Sequence, residues 1–421
     1  MSLPLDGGGE VRVKGPAKST LTENAHFMAN KQKPGPFTLA AHAGFDPASH
    51  HGSVNPPVYH TSTVVFPTVE LLERGNTKPY EGMRYGRVGT PTSWAFEEAV
   101  TALEGGYGAV VASSGLGACC AALLAWLKAG DHLLLADSVY GPTRSFAVKV
   151  LGGYGVEVEF YDPCIGAGIQ VLFRPNTKVV FLESPGSWSF EVQDVPAITE
   201  LAKARGIAVM IDNSWATPVY FKPLAHGVDV SIQAATKYIA GHSDAMLGVA
   251  TAPDRKTYEQ LKTGHFLMGQ NAGSQELFHG LRGLRTLPLR LERHGRTGLE
   301  LADWLKARPE VRQVLHPALP GDSSYALWKR DFTGCSGLFG VLLKPYSRAA
   351  VTAMVEGMQL FKMGWSWGGF ESLIVPGFHL PTRTVTKWGA GVQLRIHAGL
   401  EDVDDLKADL VEAFGRLAAA S

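Results

Sequence analysis

A lysine, an aspartate, a small-residue loop and a tyrosine each follow an apolar run in this 421-residue chain, and their chemistries suit one another. Thr236-Lys237 closes a run in which Val228, Val230 and Ile232 alternate with polar neighbours, which predicts a strand over residues 228–235. A lysine held at a strand end beside a hydroxyl can act as a nucleophilic amine. Asp212 closes the apolar run 207–211. A carboxylate there can cap a helix, or pair with a buried cation if one lies nearby. Ser113-Ser114-Gly115-Leu116 falls between a predicted strand and a predicted helix. Backbone N–H groups at a helix start favour an anion, and glycine lets it come close. The loop is neither G-x-x-x-x-G-K nor G-x-G-x-x-G, so alone it reads as an ordinary strand–helix turn more readily than as a phosphate site. Tyr140, in Tyr140-Gly141-Pro142-Thr143, follows the run 132–136 and could lie flat on a ring.

Together these are the parts of a pyridoxal-phosphate site: phosphate anchor, partner for the pyridinium nitrogen, stacking ring and Schiff-base amine. For the parts to meet, the carboxyl ends of several strands must share one edge. The sequence from residue 89 allows this. Strands are predicted at 109–111, 132–136, 156–161, 178–182, 207–211, 228–235 and 246–250, with helices at 94–103, 116–127, 143–151 and 195–204. Alternating strands and helices predict an α/β fold with a mostly parallel sheet covered on both faces. In such sheets reactive groups collect beyond the strands' carboxyl ends.

After about residue 284 the pattern changes to helices at 289–306, 348–359 and 401–417 and strands at 336–343 and 392–398, a smaller α+β domain. The expected division is a mobile arm over 1–35 and an extended segment over 36–88 that contacts a neighbouring subunit. A cofactor-binding domain over 89–283 and the C-terminal domain over 284–421 follow.

The 39 basic residues balance the 39 acidic ones, so there is no basic field to attract nucleic acid or an anionic membrane. Cys119, Cys120, Cys164 and Cys335 show no metal-binding spacing, and no metal is expected. No secretory signal and no apolar run of ~20 residues is evident, so a soluble cytoplasmic protein is expected.

From Phe37 to the final helix the chain resembles the Cys/Met-metabolism pyridoxal-phosphate enzymes, and within them the cystathionine β-lyase branch. The densest agreement lies in Tyr85-Gly86-Arg87, Glu183-Ser184-Pro185-Gly186-Ser187, Met210-Ile211-Asp212-Asn213, Gln233 to Tyr238, Gly241 to Asp244, Ser366-Trp367-Gly368-Gly369 and Gly399 to Asp405. The resemblance implies an aspartate-aminotransferase-like (fold type I) large domain with a mostly parallel seven-stranded sheet and a smaller C-terminal domain. It also implies a homotetramer, a dimer of dimers with shared active sites.

By the same resemblance Lys237 is the Schiff-base lysine, Asp212 pairs the pyridine nitrogen and Tyr140 stacks on the ring. The backbone of Gly115 and Leu116, with the Thr236 hydroxyl, holds the phosphate. Tyr85 and Arg87 reach it from the adjacent subunit. Arg395 clamps the substrate α-carboxylate, helped by Ser366, and Trp367 shapes the substrate wall. Lys237, Tyr85 or Tyr140 protonates the leaving thiolate.

The implied activity is β-cleavage of L-cystathionine to homocysteine, pyruvate and ammonia in methionine biosynthesis. The alternatives are a γ-lyase or γ-synthase sibling, a broader cysteine-S-conjugate β-lyase, and a non-catalytic assembly protein. Three positions depart from the pattern: Ala234 where serine is common, Leu116 where methionine is frequent, and Trp365 where the β-lyases are expected to have tyrosine.

Overall fold

The computed structural model describes residues 34–421 apart from 78, 79, 81 and 390. Most of the expected N-terminal arm, residues 1–33, lies outside the described residues. Seven strands form the larger sheet: β1 (Gly108–Ala112), β2 (His132–Ala136), β3 (Glu157–Tyr161), β4 (Thr177–Glu183), β5 (Ala208–Asp212), β6 (Val230–Gln233) and β7 (Gly248–Ala252). Their order is β1-β7-β6-β5-β4-β2-β3. β3, β2, β4, β5 and β6 run parallel, while β7 is antiparallel to both β6 and β1. The fold is therefore the α/β architecture expected, with one reversed strand.

The apolar runs are continuous because both sheet faces are covered. In β4, Val180 and Leu182 face a core that includes Ile198 and Trp215, while Val179 and Phe181 face one that includes Ala118, Ala122 and Leu123. This is the two-residue alternation of a strand buried on both sides. The helix Gly115–Trp126 starts directly after the β1 loop, with the Ser114 hydroxyl accepting the Gly117 amide at 3.0 Å. Its small residues Ala118, Ala121 and Ala122 are fully buried, so the helix lies close to the sheet.

The second sheet has the order β10-β11-β12-β9-β8, built from β8 (Val311–Leu315), β9 (Leu338–Leu343), β10 (Lys362–Met363), β11 (Leu373–Pro376) and β12 (Gln393–His397). The helices Leu287–Lys306, Arg348–Glu356 and Val403–Ala419 cover it. Trp215 ties this sheet to the larger one by donating its indole N–H to the Leu338 carbonyl at 2.9 Å.

Four local expectations change. The strand predicted over 228–235 ends at Gln233, because the chain turns there: the Lys237 amide donates to the Ala234 carbonyl at 2.9 Å. The helix expected over 143–151 is a short α-helix, Gly141–Phe146, that widens into a π-turn over Ala147–Leu151. The segment expected to be extended contains two helices, Pro36–His42 and Val69–Thr77. Arg255–Leu267 and Ser274–Arg285 are helices that periodicity did not reveal. Their glycines lower helix propensity, yet close packing requires them. A Cβ at Gly280 would sit 2.6 Å from Leu247 Cδ2, and one at Gly264 2.5 Å from Ala125 Cβ.

Candidate active site

The carboxyl ends of β1, β2, β4, β5 and β6 meet at one edge of the larger sheet, and a single pocket opens there. Gly115, Leu116, Tyr140, Asp212, Thr236, Lys237, Trp367 and Arg395 all line it. Of the residues expected at the site, these eight are brought together, and Ser366 joins them through a direct contact with the lysine.

Lys237 sits on the turn after β6, its amine donating to the Ser366 hydroxyl at 2.8 Å and lying 5.3 Å from the Trp367 ring centroid. Burial, and then the nearby Arg395 guanidinium, push its pKa down to about 8, although Asp212 pulls the other way. Gly368 lets the Ser366–Gly369 loop reach the lysine. Its φ is +86°, and a Cβ there would lie 2.8 Å from the Tyr238 amide nitrogen. His397 fixes the same loop by accepting the Gly368 N–H at 3.1 Å. It is buried, as is its neighbour His294, and burial holds it neutral.

Asp212 ends β5 beside Glu183 of β4. Burial raises its pKa, while the Ser214 side chain and then the Ser214 amide oppose the rise. Ser214 donates to Asp212 Oδ1 through its amide at 2.9 Å and its hydroxyl at 2.6 Å. The same hydroxyl accepts the Ala234 amide at 2.7 Å, joining the end of β5 to the turn that carries Lys237. Oδ2 receives a weak contact from Cys119 Sγ at 3.9 Å.

Tyr140 is 46% exposed and faces the pocket, its amide held by Glu183 Oε2 at 2.6 Å. Arg395, in β12, is buried; its Cζ lies 5.2 Å from the Trp188 ring centroid, and Nη2 donates to the Trp365 carbonyl at 2.8 Å. The Thr236 hydroxyl accepts the Leu247 amide at 2.8 Å and donates to the Leu247 carbonyl at 3.2 Å. It can turn its proton toward an anion while keeping the first of these bonds.

Tyr85 and Arg87 are not in this pocket. They line a second cavity with Thr61, Ser62, Asn271 and Ser274. Arg87 donates to the Phe266 carbonyl at 2.9 Å, and its Cζ lies 4.5 Å from the Phe266 ring centroid.

Glu183, Ser214 and Trp188 carry parts of the site that sequence reasoning left without a role. Glu183 is the most legible of the three, an acid closing an apolar strand as Asp212 does. The positions of Ser214 and Trp188 depend on turns that no periodicity marks.

The Cys/Met metabolism PLP-dependent enzyme family model matches residues 37–415. The chain belongs to that family. It is 44% identical to the cystathionine beta-lyase of Salmonella typhimurium over 374 residues, covering 87% of this chain and 94% of the relative. With cystathionine beta-lyase MetC of Escherichia coli it shares 44% over 376 residues, again 87% of this chain and 94% of the other. A crystal structure of metB from Corynebacterium glutamicum superposes with a TM-score of 0.83 at 29% identity, covering 91% of this chain and 98% of that one.

The cofactor of this family is pyridoxal phosphate, and the pocket fits it on three observations. Gly115 lies so close to Ala234 that any Cβ would overlap it, which keeps the start of the helix bare for a phosphate. A half-buried carboxylate, Asp212, whose pKa is raised by desolvation, stands where a cation would offset that cost. An amine of lowered pKa, Lys237, faces the space between them.

Proposed function

We propose that this chain is a pyridoxal-phosphate-dependent carbon–sulfur β-lyase. It cleaves L-cystathionine with water to homocysteine, pyruvate and ammonia, a step of methionine biosynthesis. The observation that carries this reading is the Lys237–Ser366 contact, in a pocket that also gathers Asp212, Tyr140 and Arg395. The two relatives named for this activity support it.

Lys237 would hold the cofactor covalently and Tyr140 would cover its ring. The Gly115 and Leu116 amides and the Thr236 hydroxyl would take its phosphate, and the Asp212 carboxylate would keep its ring nitrogen protonated. Bound there, the cofactor supplies an electron sink for negative charge at the substrate Cα.

The chain's own residues do the rest. Arg395 offers a planar fork of donors to the substrate α-carboxylate, and the guanidinium carbonyl contact with Trp365 fixes its plane. Once released, the Lys237 amine has a free-base fraction raised far above that of an ordinary lysine, because its pKa is lowered to about 8, and that free base can take the Cα proton. Ser366 holds that amine at the pocket wall. The leaving sulfur needs a proton, which Lys237 or Tyr140 can deliver from within the pocket. Burial and the neighbouring Glu183 raise the Tyr140 pKa, so its phenol stays protonated and able to donate.

We further read the enzyme as a cytoplasmic homotetramer, a dimer of dimers in which Tyr85 and Arg87 serve a neighbouring subunit's cofactor. The four cysteines, all free thiols, suit a reducing compartment. Among the described residues no helix is long and apolar enough to cross a membrane.

The test gives purified, cofactor-loaded enzyme L-cystathionine and identifies the keto acid. Pyruvate is expected. 2-Oxobutyrate would move the activity to the γ-cleaving siblings, and a colourless protein that takes up no cofactor would remove the lyase reading altogether.

A further inference from the structure

Asp137 follows β2 directly, three residues before Tyr140, and has no place in the chemistry described above. It is 2% exposed. Its carboxylate nevertheless gathers donors from the far domain. The amides of Thr384, Val385 and Thr386 reach it at 3.0, 2.9 and 3.0 Å. The hydroxyls of Thr384 and Thr386 approach to 3.0 and 3.3 Å. Arg144 Nη1 donates at 2.8 Å, and Arg383 Nε lies at 3.8 Å. Three consecutive amides converging on one anion form a concave anion-binding nest, here filled by a side chain of the other domain. A carboxylate buried this completely persists when its charge is matched on every side.

The clasped segment belongs to the loop joining β11 to β12, and β12 carries Arg395. The loop base is closed by the Gly377 amide donating to the Gln393 carbonyl at 2.6 Å, two residues before Arg395. Along its length the loop touches the pocket's own supports. A Cβ added at Gly141, beside Tyr140, would lie 3.9 Å from Pro381 Cβ, and one added at Gly377 would lie 3.1 Å from the ring of Trp188, over which Arg395 lies. Arg383 is 5% exposed at its side chain and pairs with Glu191 at 2.9 Å.

We propose that Asp137 is a positioning residue for substrate binding. By clasping the Thr384–Thr386 backbone to the end of β2, it holds Arg395 in register with Tyr140 and Lys237. This rests on the β-lyase reading for the identity of the substrate, but the clasp itself does not.

The test compares Asp137→Asn with the unaltered holoenzyme. The amide keeps the shape and removes the charge that the three amides and Arg144 share. KM for L-cystathionine should rise about tenfold or more, with kcat changed much less and the absorbance of the bound cofactor unchanged, as expected when an orienting contact is loosened. Independently of any substrate, trypsin should cut the holoenzyme faster at Arg383 and Lys387.

Val385→Pro carries the test from the loop side, deleting one amide donor at a residue that is 51% exposed. It keeps the proposal testable if Asp137→Asn does not fold. A loop variant with unchanged KM and unchanged cleavage would overturn the clasp. So would a folded Asp137→Asn enzyme with both readouts unmoved. Faster cleavage in an enzyme that yields no pyruvate would instead leave the clasp standing and remove the β-lyase reading.

Discussion

Burial and the Arg395 guanidinium push the Lys237 amine down to about 8, so at pH 7 about a tenth of it is free base, against well under a thousandth for a lysine in water. Because the pKa is lowered, the protonated and unreactive form dominates below pH 8 and is lost above it. The rate at which cofactor-free protein captures pyridoxal phosphate should therefore rise with pH through an apparent pKa near 8. Stopped-flow absorbance would show it, and a midpoint near the ordinary lysine value of about 10.4 would contradict the described environment. Arg395 makes a second residue-level prediction. Its guanidinium is buried and held by the Trp365 carbonyl at 2.8 Å. Hydrogen bonds to a charged group contribute about 1.5–3 kcal/mol, so Arg395→Ala should raise KM by roughly ten- to a hundredfold. Lysine at this position should recover little of that loss, since a point charge cannot reproduce the fork. Steady-state kinetics on pyruvate release decide both.

The helix Gly115–Trp126 and the turn after β6 touch at Gly115 and Ala234, with no room for a methyl group between them. Gly115→Ala should thus force the helix start away from Lys237. Overpacking of this kind costs about 1–3 kcal/mol, seen as a lower Tm of the cofactor-free protein and a weaker Kd for pyridoxal phosphate. A variant with both values unchanged would place the phosphate elsewhere. The contact also explains what could be read from sequence. Lys237, Asp212 and the Ser114 loop are legible because each ends an apolar run, and run ends mark one edge of a parallel sheet. The hydroxyl bridge from Ala234 through Ser214 to Asp212 is not legible, because it needs β5 and β6 side by side. Glu183 is half legible: its strand is clear, but its bond to the Tyr140 amide depends on β2 and β4 being neighbours, which chain order does not reveal. The helix Ser274–Arg285 is hidden for a different reason. Its glycines look like breaks, whereas Gly283 lies against the Ala240 and Ile239 carbonyls, where no side chain fits.

Within one chain, Tyr85 and Arg87 line a cavity apart from the one that holds Lys237. If that cavity completes a neighbour's site, two defective chains can make one working site. Lys237→Ala and Arg87→Ala should each be inactive alone, and mixing them with reversible dissociation should restore up to about a quarter of the wild-type activity per chain, as random pairing in a two-site dimer allows. No recovery, with mixed oligomers demonstrated by mass, would confine each site to its own chain.

The strand order has a consequence for synthesis. Gly108 in β1 pairs with Ala252 in β7, and Gly115 rests on Ala234. The growing chain carries the Ser113-Ser114-Gly115-Leu116 loop long before it carries the lysine turn or the reversed strand that holds the sheet's edge. Such distant pairings close slowly. Cofactor acquisition therefore waits until the ribosome has passed β7, and a chain stalled earlier exposes an unpaired apolar edge for chaperones to shield.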